Sequence, residues 1–163
     1  MAELELTRSR DDRRLYEIAG VGTLRFGGLF SRRATAEAGA AAWSFDRRGL
    51  WQTTIEASDT TGAAVGSFAA RSLRRGGSLR WGDHDFKLRP ASMWTERYAL
   101  SDQDRELAVL DAKSWGKRPV RITVDEPSPV EPGLLLFAAF AVRQLAEDAS
   151  SSAGGASAAA AAG

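Results

Sequence analysis

The sequence predicts a mainly β fold, a closed antiparallel barrel of about twelve strands around a central hydrophobic C-terminal α-helix. Three observations carry that expectation. Between about residues 3 and 126 short runs alternate polar and apolar side chains and are separated by turns rich in Gly, Asp and Ser. Three prolines, Pro127, Pro129 and Pro132, then end the strand pattern. Directly after them, residues 134–142 are nine consecutive apolar side chains, a helix with no polar face.

The strand candidates are 3–9, 15–18, 23–26, 35–37, 42–45, 51–58, 63–72, 78–81, 86–89, 95–100, 106–111 and 120–125. In the last of these Val120, Ile122 and Val124 alternate with Arg121, Thr123 and Asp125, so three β-branched residues share one face. Trp51, Thr53, Ile55 and Ala57 alternate with Gln52, Thr54, Glu56 and Ser58 in the same way. Turn chemistry punctuates the runs at 46–49, 59–62, 75–77 and 82–85. The spacing is that of a meander and leaves no room for crossover helices.

The helix is expected at about 132–147. Residues 134–146 span roughly 20 Å at 1.5 Å per residue, short of the ~20 apolar residues that a bilayer core requires. Burial inside protein is the alternative. A barrel of about a dozen strands is too wide for its inward side chains to meet, since side chains alone fill a barrel of about eight. The apolar helix supplies the missing filling. Residues 149–163 contain only Ser, Ala and Gly and read as a disordered tail.

Composition narrows the function classes. The chain has 163 residues, 44 % of them apolar and 26 % charged, with 22 Lys and Arg against 21 Asp and Glu. A net charge of +1 gives no global reason to expect nucleic-acid binding. Any anion site has to be a local patch. There is no Cys and one His, His84 in GDHDF, which excludes thiolate chemistry and His-rich metal centres and makes a turn histidine the natural reading. Residues 20–28 are Gly-rich but lack the phosphate-loop Lys, and no GxSxG nucleophile elbow is present. No catalytic constellation, metal site or cofactor site is therefore expected, and the chain reads as a non-enzyme. Of the five tryptophans, Trp43, Trp51, Trp81, Trp94 and Trp115, most are expected to pack in the barrel core against the helix. The opening MAELELTRSRDDRR has no apolar stretch of the kind that directs secretion, so the expected location is the cytoplasm, with peripheral contact at a membrane.

The last strand, RPVRITVDEP, leading into GLLLFAAFAVRQLAED resembles the tubby-like C-terminal domain superfamily, which includes the LURP-one-related proteins and the phospholipid scramblases. The likeness runs over roughly residues 4–148 and is nearest to the LURP-one-related group. It implies a twelve-stranded barrel around a hydrophobic helix, with phosphoinositide binding through a basic pocket on the barrel side. The residues so implied are Arg71, Arg74, Arg75 and Arg80 around the turn LRRGGSLR, with Arg32, Arg33, Arg47 and Arg48 as second choices. Close arginines can grip a phosphate bidentately. The scramblase calcium segment does not carry over, because Asp125, Glu126 and Glu131 fall short of six to eight oxygen ligands. A protein-interaction scaffold and a barrel holding a small apolar ligand are the alternatives.

Overall fold

A computed structural model describes residues 1–28, 32–49, 52–71, 76–92, 96–112, 120–125 and 130–161, with side chains of the terminal helix described as far as Ala149. Twelve strands follow one another: β1 (Ala2–Arg8), β2 (Leu15–Ile18), β3 (Gly22–Phe26), β4 (Arg33–Ala38), β5 (Ala41–Arg48), β6 (Thr54–Asp59), β7 (Ala64–Ala70), β8 (Gly77–Trp81), β9 (His84–Pro90), β10 (Arg97–Asp102), β11 (Arg105–Asp111) and β12 (Val120–Val124). Each pairs antiparallel with its sequence neighbour, and β1 pairs with β12, so the sheet closes into a barrel. This is the architecture of the tubby-like fold in its general form. Closure leaves no edge strand for another chain to extend.

Alternation along each strand sorts side chains inward and outward. On β4, Ala34 and Ala36 are buried while Arg33, Thr35 and Glu37 face out. On β12, Val120, Ile122 and Val124 are buried, as their spacing predicts. Expected strand 51–58 is shorter in the structure, with β6 starting at Thr54, and Trp51 lies outside the described residues. Two register shifts, between Ala57 and Ser58 and between Leu100 and Ser101, add local twist to the sheet.

The helix α1 (Pro132–Ala161) fills the lumen. Every side chain from Leu134 to Val142 is at most 3 % exposed, although the segment has no polar face, because the sheet surrounds it. Small residues set how closely the wall approaches: Ala34 and Ala36 lie on β4, and α1 packs closest to β3, β4 and β5. Aromatic rings form the central contact. Phe137 lies 5.0 Å from Phe45 and 5.5 Å from Trp81 between ring centroids, and Phe140 lies 5.7 Å from Phe45 and 5.8 Å from Phe26.

Hydrophobic burial alone does not specify the axial position of a helix that is apolar all round, since one register buries nearly as much as the next. Polar contacts at both ends supply that information. At the start of α1 the Trp81 indole N–H donates to Glu131 at 3.1 Å. Gly133 sits between Trp81 and Trp43, where a Cβ would come within 2.5 and 2.7 Å of the two indoles. At the other end of the barrel Arg47, turned inward from β5, donates to Gln144 Oε1 at 3.3 Å and pairs with Asp148 at 2.8 Å. The Thr53 hydroxyl donates to the same carboxylate at 2.6 Å. Among the described residues Arg47 Nε and Gln144 Nε2 are buried without a hydrogen-bond partner, which fits a cluster that serves register more than stability.

The helix continues through 149–161, where composition reads a disordered tail. The physical reason is nucleation. An isolated Ala-rich segment of that length does not overcome the nucleation cost, but a helix already formed inside the barrel extends residue by residue without it.

Two outcomes follow for stability. Phe137→Ala removes the ring shared by Phe45 and Trp81 and lowers unfolding free energy by about 3–5 kcal/mol in urea titrations. Arg47→Ala and Asp148→Ala each destabilise, and their double-mutant cycle gives a coupling of about 1–2 kcal/mol.

Candidate functional site

Of the arginines expected around LRRGGSLR, Arg71 and Arg80 lie among the described residues and stand apart. Arg74 and Arg75 lie outside the described residues. Arg71 follows β7 and is exposed, and its backbone N–H donates to the Gly76 carbonyl at 2.8 Å. Arg80 faces outward on β8 opposite Ser67, where it pairs with Asp85 at 4.0 Å. Four register positions separate the two arginines, roughly 13 Å at 3.3 Å per residue. They occupy opposite ends of the β7–β8 hairpin.

The sheet instead brings Arg71 beside residues far away in sequence. Gly77 stands opposite Leu88, so Gly76 lies against Arg89, whose Cα is 3.1 Å from the place a Gly76 Cβ would take. The same Cβ would sit 1.8 Å from the Leu88 carbonyl oxygen, and the φ of Gly76 is +71°. Only glycine fits there. A strand position without a side chain therefore separates Arg71 from Arg89, two strand spacings or about 10 Å apart. Lys87, opposite Ser78 and two residues before Arg89, shares their outward face. All three cations are exposed, and none forms an ion pair among the described residues. Lys87 and Arg89 escape a reading of the turn motif because they enter only through register with β8.

The second-choice arginines are divided by strand alternation. Arg47 points into the barrel and Arg48 out of it. Arg33 and Arg48 line a groove of about 420 Å³ on the outer face of β3–β6, together with Arg14 and Arg25. Its floor is a cross-strand row of hydroxyls, Thr35 opposite Ser44 and Ser44 opposite Ser58. The groove's arginines already have counter-charges. Arg33 lies 3.3 Å from Asp46, and Arg48 lies 3.8 Å from Asp46 and 3.7 Å from Glu56. Arg14 and Arg25 both pair with Asp12, whose carboxyl is held below its ordinary range first by the Arg14 backbone N–H and then by Arg25. The same contacts hold Asp12 against its two arginine partners. Arg32 donates to the Gly49 carbonyl.

The remaining candidates have structural employment. His84 is exposed beside the Phe86 ring, at 6.5 Å between centroids. Among the described residues no group of three or more His, Asp or Glu side chains is placed to hold a metal ion. Asp125 pairs with Arg105 at 3.4 Å and Glu131 accepts from Trp81, so two of the three acids before the helix are engaged, and Glu126 lies outside the described residues. Trp43 and Trp81 pack at the start of α1, and Trp51, Trp94 and Trp115 lie outside the described residues. The buried side chains of α1 from Leu134 to Val142 occupy the lumen where a small apolar ligand would otherwise sit. No helix among the described residues is long and apolar enough to cross a membrane.

Comparison of the chain with protein-family models, with curated proteins and with solved structures finds no match. The backbone constraint at the centre of the basic patch can be tested directly. Gly76→Ala forces a β-carbon into the β9 backbone at a left-handed φ and lowers stability by about 2 kcal/mol or more in chemical unfolding.

Proposed function

We propose that this barrel is a non-enzymatic binding domain that engages an anionic membrane surface, phosphoinositide headgroups included, through the basic patch of Arg71, Lys87 and Arg89. The observation that carries the reading is the lack of counter-charges. Three exposed cations on one face of β7–β9 have no ion pair among the described residues, whereas the arginines of the β3–β6 groove are paired with Asp12, Asp46 and Glu56. An anion arriving at the patch does not have to displace a carboxylate. Guanidinium groups favour the bidentate phosphate contacts that such a ligand offers.

The scaffold supports the reading in a second way. Arg89 and Lys87 stand on a paired strand, so their spacing is fixed before binding. A partner protein has a narrower choice of docking modes, since barrel closure removes the strand-addition route.

Vesicle flotation tests the proposal. The chain is expected to float with vesicles containing phosphatidylserine or a phosphoinositide, to remain behind with phosphatidylcholine alone, and to release as salt is raised. Arg71→Ala/Arg89→Ala should weaken binding at least tenfold, at about fivefold per basic residue near an anionic surface. Arg80→Ala, at the other end of the hairpin, should leave it unchanged. Equal flotation of wild type and the double variant would refute the patch.

A further inference from the structure

The groove of about 420 Å³ on the outer face of β3–β6 has no part in the basic patch. Register arranges its side chains in two rows that cross the strands. In one row Arg25 stands opposite Thr35, Thr35 opposite Ser44, and Ser44 opposite Ser58. In the other, two residues along, Arg33 stands opposite Asp46 and Asp46 opposite Glu56. Arg48 follows Asp46 by two positions on β5 and faces the same way. The first row is a floor of three hydroxyls about 10 Å long at the usual spacing between strands. The second is a wall of guanidinium and carboxylate groups, roughly 7 Å away along the strands.

Charge decides what this groove does not suit. Arg33 and Arg48 face Asp46 and Glu56, and Arg14 and Arg25 face Asp12, so four arginines meet three carboxylates. Neither an anion nor a cation finds a strong field there, and an apolar ligand would strip water from all of these groups. Hydrogen-bonding capacity remains in both directions. Among the described residues the hydroxyls of Thr35, Ser44 and Ser58 and the carboxylate of Glu56 have no protein hydrogen bond. Arg48 Nε lies 3.8 Å from Asp46 and 3.7 Å from Glu56, beyond hydrogen-bond length, so the Arg48 guanidinium keeps its donors for another acceptor. A guanidinium and a carboxylate are planar and two-pronged, the shape that pairs with two adjacent hydroxyls of a polyol.

We infer that the β3–β6 groove binds a neutral carbohydrate of about two sugar units. The ligand lies across β4–β6 on Thr35, Ser44 and Ser58, with Arg48 and Glu56 against its flank. The site is separate from Arg71, Lys87 and Arg89 and does not rest on the membrane reading. Its volume falls within the range of small-molecule sites, and the hydroxyl row has the length of two linked rings. Each of the three hydroxyls stands on a strand paired on both sides, and ion pairing holds the charged wall, so little ordering is left to the moment of binding. Sugar hydroxyls take the place of water at donors and acceptors alike, and the ion pairs stay closed. Because the ligand carries no charge, its binding does not weaken as salt is raised, unlike the attachment of a basic patch to an anionic surface.

Backbone-amide NMR titrations of the full chain with maltose, cellobiose, lactose and trehalose test the inference. At least one sugar is expected to shift resonances of β4–β6 saturably, with a millimolar dissociation constant that is unchanged at high salt. Arg48→Ala/Glu56→Ala removes the flanking pair together and should weaken that binding about tenfold or more, the loss expected for hydrogen bonds to charged groups. Ser44→Ala, a milder change at an exposed strand position, should weaken it about fivefold, and the unliganded spectrum of each variant reports its fold. Arg71→Ala/Arg89→Ala should bind the sugar as wild type does. The inference is overturned if none of the four sugars gives saturable shifts, or if the shifts fall outside β3–β6. A response of the groove to inorganic phosphate stronger than to any sugar makes it an anion site and overturns the inference as well. So does full sugar affinity in folded Arg48→Ala/Glu56→Ala and Ser44→Ala.

Discussion

The apolar surface of α1 between Leu134 and Val142 must be covered on every side, and the rest of the structure depends on that requirement. Six large side chains in this segment each gain about 1.5–3 kcal/mol from burial, and none gains it unless the sheet closes around them. The sheet depends on the helix in return. A ring of twelve strands without a filling would leave inward residues such as Leu24, Phe45, Ile55 and Leu110 facing empty space or water. Wall and core therefore stabilise each other, and neither is a plausible folded unit alone.

Mutual burial does not choose a register, and the polar residues do. Glu131 with Trp81 at one end, and Arg47 with Gln144, Thr53 and Asp148 at the other, act as stops on a helix that is otherwise free to slide or turn. The unsatisfied donors on Arg47 and Gln144 fit that role, because a cluster optimised for stability alone would not leave two buried N–H groups unpaired. Gly133, wedged between two indoles, gives the same constraint in steric form.

Filling the lumen also decides where function can reside. With α1 inside the lumen and the sheet closed, the outer faces and the two rims are the surfaces the fold presents for recognition. On those surfaces the useful distinction is between cations that have counter-charges and cations that do not. The β3–β6 groove is the more concave feature and is rich in arginine, yet its charges are largely cancelled at short range. The exposed cations Arg71, Lys87 and Arg89 have no ion pair among the described residues. Binding of an extended anionic surface requires availability more than concavity.

The sequence alone determined the fold class, the strand count, the place of the helix and the inward faces of the strands. These follow from period-two alternation and from nine apolar residues in a row, both local properties of the chain. The sequence did not place Arg80 away from Arg71, bring Lys87 and Arg89 beside it, or send Arg47 inward to Asp148 across about a hundred residues. Those depend on register between strands and on which face each strand presents, and a single chain does not encode them locally. The helical state of 149–161 likewise depends on a nucleus that only the filled barrel provides. Every charged residue can be read from the sequence, but only antiparallel closure assigns alternate connections to opposite ends of the barrel.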